Sequence, residues 1–303
     1  MTCGPLTLTF TSAQLEDYID WTYFFYAWGL PAFAAEAAKI HNCTACRQAW
    51  IDAQARPSDR EAARQALQLC DDARRRLHSG DFEARARFAL LPAAAEGDDI
   101  FVGDVRLPML RQQKPQKDED YCRCLADYIG GSDARYRTIG VFVATAGRKS
   151  AATPANPAET ADDYARMLAD TTADRLAEAA AERMHEEVRR KYWGYAPDER
   201  LSPADLFAGR YTGLRPAVGY PSLPDQSLVF ALDRLIGFAE AGVSLTESGM
   251  MRPHASVCGL MLAHPAARHF AVGPIGADQL TDYARRRGAS EEYLRRFLKT
   301  AIH

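Results

Sequence analysis

Apolar positions recur along this chain at two spacings, one near two and one near three to four, and the change of spacing marks out its elements. Residues 6–10 (LTLTF) alternate and predict a short strand. Thr11 and Ser12 then cap a helix running through Trp28, in which Tyr18, Trp21, Phe24, Phe25 and Trp28 fall at helical intervals. Helical spacing continues over 36–54 and on to 77, broken at Arg56-Pro57-Ser58-Asp59, where Ser58 to Glu61 has the form of a capping box. Arg74, Arg75 and Arg76 are expected as a solvated helix end, favoured there by the macrodipole. Segments 84–91, 99–105 and 138–144 read as strands, with a helix near 121–129. A long amphipathic helix is predicted over 160–192 and another over 227–241. Strands follow at 243–248, 255–261 and 269–273, and a terminal helix begins near 276. Strands with helices before and after them, and no internal repeat, predict an α+β fold: one domain over 1–303 with a mostly antiparallel sheet flanked by helices. The small-residue, Pro-containing stretch 147–158 is expected to be a mobile surface loop.

Charge removes several classes of function. With 37 Lys+Arg against 40 Asp+Glu the net charge is −3, which gives a polyanion no electrostatic footprint and argues against nucleic acid as a partner. No apolar run approaches the ~20 residues of a membrane helix, and the first residues carry no export signal, so a cytoplasmic protein is expected. Seven cysteines, sparse and odd in number, fit a reducing compartment rather than a disulfide framework. Two close pairs stand out, Cys43/Cys46 and Cys122/Cys124. The first lies in predicted helix, where i and i+3 share a face, so the pair is expected to pack as small buried residues. His41 is near enough in sequence to join it, but zinc sites commonly need a fourth ligand and no metal site is assigned.

Three features carry candidate chemistry. Asp20 is an acid inside an aromatic segment and needs a partner or a ligand, because an unpaired buried carboxylate is costly. Asp174 and Glu178 stand at i and i+4 on the long helix and project from one side. Residues 215–225 (RPAVGYPSLPD) combine three prolines with Gly219, which excludes a regular helix or a central strand and suits backbone that lines a site. Dinucleotide, P-loop, zincin and nucleophile-elbow motifs are absent. An Arg fork for a carboxylate, an acid for an ammonium, and Tyr with carboxylates near a positive centre suit an amino acid or its sulfonium derivative.

These residues occur in blocks that resemble, in order, the activation domain of cobalamin-dependent methionine synthase. They are 18–25 (YIDWTYFF), 97–100 (GDDI), 110–113 (LRQQ), 125–127 (LAD), 139–142 (IGVF), 173–178 (ADRLAE), 192–197 (YWGYAP), 215–221 (RPAVGYP), 245–248 (LTES), 255–259 (ASVCG), His264-Pro265, 269–272 (HFAV) and 278–285 (DQLTDYAR). The resemblance spans nearly the whole chain and implies a twisted central sheet flanked by helices. It also implies binding of S-adenosylmethionine and reductive methylation of cob(II)alamin, with cobalamin carried by a partner module and an electron from a flavodoxin-type donor. It places S-adenosylmethionine on Asp20, Arg215, Ala217, Tyr220, His269 and Phe270, with Asp20 and Arg215 on the charged ends of the methionine moiety. Tyr220 and Glu178 are implied to favour the sulfonium and to act in catalysis, and Asp174 to meet the cobalamin-binding module through the histidine released from cobalt.

Departures from the family pattern are His269 where Tyr is usual, Gln226 where His is frequent, Gly209 where an acid is frequent, and Arg148-Lys149 where carboxylates are frequent. The cysteine pairs lie outside the pattern. A chain beginning at Met1 without homocysteine, folate or cobalamin modules is expected to be a freestanding reactivation subunit that docks in trans on a corrinoid protein. Service to another corrinoid methyltransferase, and a non-catalytic S-adenosylmethionine-sensing regulatory role, are the competing expectations.

Overall fold

The computed structural model describes residues 2–117, 120–149 and 162–298. Its centre is a four-stranded, wholly antiparallel sheet in the order β1 (Cys3–Thr11), β2 (Phe82–Pro92), β6 (Thr138–Arg148), β9 (Ser256–Met261). Between β2 and β6 the chain makes a small antiparallel sheet of β3 (Ala94–Glu96), β4 (Asp99–Val102) and β5 (Val105–Pro108). A short hairpin, β7 (Ser244–Leu245) with β8 (Met251–Arg252), precedes β9.

Strand β6 is buried on both faces, which explains its nearly unbroken apolar sequence. Ile139, Val141 and Val143 face one core, while Phe142, Ala144 and Ala146 face the other. On the second face lies the long helix α5 (Asp163–Glu187). Its Ala173, Ala177, Ala180 and Ala181 share a core with Ala84, Ala86, Ala144 and Ala146 of the sheet. Helix and sheet therefore meet through short side chains, and functional groups on α5 are held at close range to the strands. After the short helix α6 (Pro203–Phe207), the opposite face is covered by the small sheet and by α7 (Leu228–Ile236), α8 (Ala277–Arg287) and α9 (Glu291–Phe297). A third, helical core joins α2 (Trp21–Ala27), α3 (Thr44–Asp52) and α4 (Pro57–His78) around Phe24, Phe25, Trp50, Leu67 and Cys70. The α+β expectation, with an antiparallel sheet between helices, holds.

Several local expectations are corrected. The aromatic helix is broken: α1 (Ser12–Leu15) and a 3₁₀ turn at Glu16–Tyr18 end before α2, whose N-cap is Asp20. Helix α4 opens on Arg56 with Pro57 at its first position, without a side-chain cap, so Ser58 to Glu61 is not a capping box. Arg74 is not simply solvated, since it pairs with Glu16 and lies over Trp21. Segment 99–105 is the turn-linked pair β4–β5, and 121–129 holds only a 3₁₀ turn at Leu125–Tyr128. Gly237, in the left-handed region at φ 67°, ends α7 before a 3₁₀ turn at Phe238–Ala241. Residues 269–273 form no strand; they are clasped to the preceding loop instead. Of the expected mobile loop, Gly147 and Arg148 belong to β6, whereas 150–158 lie outside the described residues. The predicted helix start at 160 also lies outside them.

The segment following Gly213 extends the central sheet beyond β9. Leu214 and Leu262 exchange backbone hydrogen bonds of 2.8 Å, Leu260 N–H donates to the Pro216 carbonyl at 3.0 Å, and Val218 N–H donates to the Cys258 carbonyl at 2.9 Å. Pro216 sits on this outer edge, where its missing N–H takes nothing from the ladder. Contact is so close that a Cβ on Gly259 would stand 2.1 Å from the Pro216 oxygen.

Candidate functional site

This edge segment aims Arg215 and Tyr220 at α5, while Leu214 and Val218 pack into the core on the other face. Arg215 and Glu182 form an ion pair at 2.7 Å, their side chains only 11% and 10% exposed. Burial works against the Arg215 charge, but Glu182, Tyr211 and Glu178 together outweigh it and the guanidinium is held above its ordinary range. Phe142 lies beneath the guanidinium, 5.6 Å from Cζ to the ring centre. Arg215 Nε and Glu182 Oε1 are buried without a hydrogen-bond partner among the described residues. The pair thus retains an unused buried donor and an unused buried acceptor.

One turn back along α5, Glu178 Oε1 accepts from the Tyr220 hydroxyl at 3.4 Å. Tyr220 is 54% exposed on a turn made possible by Gly219 at φ 86°. The Glu178 charge, followed by desolvation, raises the phenol pKa. A further turn back, Asp174 faces His254 at 3.7 Å. Desolvation raises the Asp174 pKa, opposed by His254 and Arg175. Asp174, Glu178 and Glu182 therefore form one acidic stripe at i, i+4 and i+8. Sequence reasoning found its first two members and missed Glu182, although the same four-residue step predicts it.

The stripe continues into His185 and Arg189. His185 is fully buried with neither ring nitrogen hydrogen-bonded among the described residues, and its ring meets Tyr211 edge-on at 4.9 Å. Burial first, then Arg189 and Arg215, hold it neutral by pushing its pKa far below the imidazole range. Arg189 has 0% side-chain exposure, pairs with Glu199 at 2.6 Å and lies 4.3 Å from the Tyr211 ring centre. Burial raises the Tyr211 pKa, with Arg215 lowering it and Glu182 adding to the rise.

Ala217 is buried against Gly259 through a backbone bridge, which leaves its main chain near the site. Phe270 is buried, and its N–H donates to Ser222 Oγ at 3.1 Å while its carbonyl accepts from the same hydroxyl. Val272 N–H donates to the Pro221 carbonyl at 2.9 Å, so 270–272 is locked to the site loop. His269, exposed on one side, has its pKa lowered by desolvation and then by the Arg215 charge, opposed by Glu182.

Asp20 takes a role not weighed from the sequence. Its Oδ1 accepts from Thr22 N–H at 2.9 Å, which caps α2. It forms no ion pair or hydrogen bond with Arg215 or Glu178 among the described residues, while α2 packs against α5. Arg215, Glu178, Tyr220 and Ala217 are brought together by the edge segment and α5; Asp20 lies at the start of the neighbouring α2, and its one described hydrogen bond is the cap to Thr22.

A family profile described as "Vitamin B12 dependent methionine synthase, activation domain" matches residues 11–288. The chain belongs to that family. The activation-domain fold is shared with a solved structure, the MetH reactivation domain bound to AdoHcy, at a TM-score of 0.80 and 32% identity, over 99% of this chain and 90% of that one. A role in a B12-dependent methyltransferase system follows from membership of the activation-domain family. Among the described residues no helix is long and apolar enough to cross a membrane.

Proposed function

We propose that the chain binds S-adenosylmethionine where the 215–220 segment meets the acidic stripe of α5, and supports reductive methylation of cobalamin carried by a methionine synthase module. The observation that carries this reading is Arg215: a buried guanidinium fixed on one side by Glu182, with Nε unpartnered among the described residues, beside a Glu178–Tyr220 pair. The free donor suits the ligand carboxylate, and the surplus of acids over cations along α5 suits a sulfonium.

In this reading Arg215 binds the carboxylate and Asp20 takes the ammonium, while Glu178 and the Tyr220 ring stabilise the positive sulfur. Ala217 offers main chain to the ligand, and His269 with Phe270 packs against it. His269 replaces the usual Tyr ring and is neutral near pH 7, so it adds no charge to repel the sulfonium. The chain's contribution is positioning: a methyl group held on a fixed line reaches its acceptor with little orientational freedom left to lose. Cobalamin supplies the methyl-accepting metal centre when its module docks, and a flavodoxin-type donor supplies the electron. Asp174, partly exposed at the outer end of the stripe, is assigned to contact with that module.

Calorimetric titration of S-adenosylmethionine into Arg215→Lys, Tyr220→Phe and Glu178→Gln tests the assignment. Losses of about tenfold or more, about 1.4 kcal/mol each, are expected. Unchanged affinity in Arg215→Lys and in Glu178→Gln would remove α5 and the edge segment from the site. Transfer of labelled methyl from S-adenosylmethionine to a separately supplied, cob(II)alamin-loaded module with reductant tests the activity itself.

A further inference from the structure

The helical layer carries a second constellation that the S-adenosylmethionine reading does not use. Cys43 and Cys46 are expected from sequence to be small buried packing residues in one continuous helix, and the structure corrects this. A 3₁₀ turn at Ala32–Lys39 ends before His41, the chain turns extended at Cys43 (φ −89°, ψ 148°), and α3 starts only at Thr44. Cys43 is thus an N-cap residue whose Sγ accepts from Cys46 N–H at 3.2 Å. His41 and Cys46 are exposed and Cys43 is half-buried, and all three lie outside the apolar cores. Packing therefore does not account for them.

One ligand atom from each of His41, Cys43 and Cys46 lies within 4.8 Å of the other two. Tetrahedral zinc with Zn–S near 2.3 Å and Zn–N near 2.0–2.1 Å requires ligand atoms about 3.5–3.8 Å apart. Side-chain rotations of these solvent-facing groups close the difference of about 1 Å without moving the backbone. We propose that His41, Cys43 and Cys46 form a surface site for one thiophilic divalent cation, zinc foremost, with the fourth position open to solvent.

The chemistry of the donors agrees with this assignment. Two thiolates and an imidazole select zinc over magnesium or calcium, which prefer oxygen. The first turn of α3 favours negative charge at Cys43. Hydrogen bonding from the Cys46 thiol, then His41 and the Cys46 N–H, lowers the Cys43 pKa to about 6, and the same thiol–thiol hydrogen bond raises that of Cys46. Binding would tie the coil ahead of α3 to the helix's first turn. The ligands' exposure lets the ion enter and leave without unfolding the chain, so chelators should strip it from the native protein.

Cobalt(II) titration of the reduced, metal-free full chain tests the site, with zinc displacement read by calorimetry. One equivalent should give a thiolate-to-cobalt charge-transfer band with tetrahedral ligand-field bands, and zinc should displace it with a dissociation constant below about 1 µM. Cys43→Ser and Cys46→Ser should each abolish the charge-transfer intensity of the one-equivalent complex or at least halve it, and His41→Ala should weaken binding about tenfold or more. Cys122→Ser should change nothing. All the substituted ligands are at the surface, and an unchanged circular dichroism spectrum will show that each variant is folded. Absence of a thiolate band at one equivalent would overturn the proposal, as would a band that survives the Cys43→Ser/Cys46→Ser double variant. S-adenosylmethionine affinity is expected to be unaffected in these variants, so the outcome is independent of the other site.

Discussion

Arg215 and Glu182 are 33 positions apart in sequence and meet at 2.7 Å across the boundary between the sheet edge and α5. Each is nearly buried, and each keeps one polar atom unpartnered among the described residues. The pair pins the irregular 215–220 segment to the helix and leaves Arg215 Nε without a partner among the described residues.

Breaking that pair should be expensive. Glu182→Ala leaves a buried guanidinium uncompensated, and urea denaturation should show a loss of about 3–5 kcal/mol. The double variant Glu182→Leu/Arg215→Met should recover most of the stability while failing to bind S-adenosylmethionine. Stability and binding would then separate at the same two positions.

Glu178 should discriminate ligand charge. S-adenosylmethionine carries a sulfonium and AdoHcy an uncharged thioether, so Glu178→Gln is expected to weaken the first by about tenfold more than the second in calorimetric titration. The same substitution removes the leading cause of the raised Tyr220 pKa. A ¹³C-labelled tyrosine titration followed by NMR should show the Tyr220 resonance ionising at lower pH in the variant.

His185 should shape the acid limb of stability. Its pKa is depressed in the folded chain by burial and by Arg189 and Arg215, so the unfolded chain takes up a proton that the folded chain refuses. Stability contributed by the neutral ring is complete above about pH 6.5 and declines as pH falls below it, by up to about 1.4 kcal/mol per pH unit from this group. His185→Phe should flatten that decline in a pH series of thermal melts.

Gly259 should be intolerant of any side chain. A Cβ there would stand 2.1 Å from the Pro216 carbonyl oxygen and 2.9 Å from Ala217 Cα, both backbone atoms. Gly259→Ala must push the edge segment off β9. A loss of at least about 1–3 kcal/mol is expected, together with weakened ligand binding because Arg215 and Tyr220 ride on that segment.

Much of this was legible in the sequence where a residue has one dominant physical reason to be where it is. The apolar run at 138–144 announced a strand, its unbroken apolar character arising because both faces are buried, and the three prolines of 215–225 excluded a regular helix or a central strand. The expectation that Asp20 needs a buried partner misled, because a helix start accepts an acid among aromatics as a cap. Cys43 and Cys46 misled because the i, i+3 argument holds only inside a helix, and Cys43 lies just before one. Glu182 was within reach of the four-residue step from Glu178, but its partner depended on a tertiary approach that no local pattern encodes. The continuation of the acidic stripe through His185 to Arg189 becomes visible only when α5 is seen against the sheet edge.

The most direct measurement is a crystal structure of the chain with S-adenosylmethionine. The account predicts the ligand carboxylate on Arg215, with Glu182 still on the guanidinium's other side, and the sulfonium against Tyr220 and Glu178. A ligand seated elsewhere, with Arg215 and Tyr220 untouched, would contradict it.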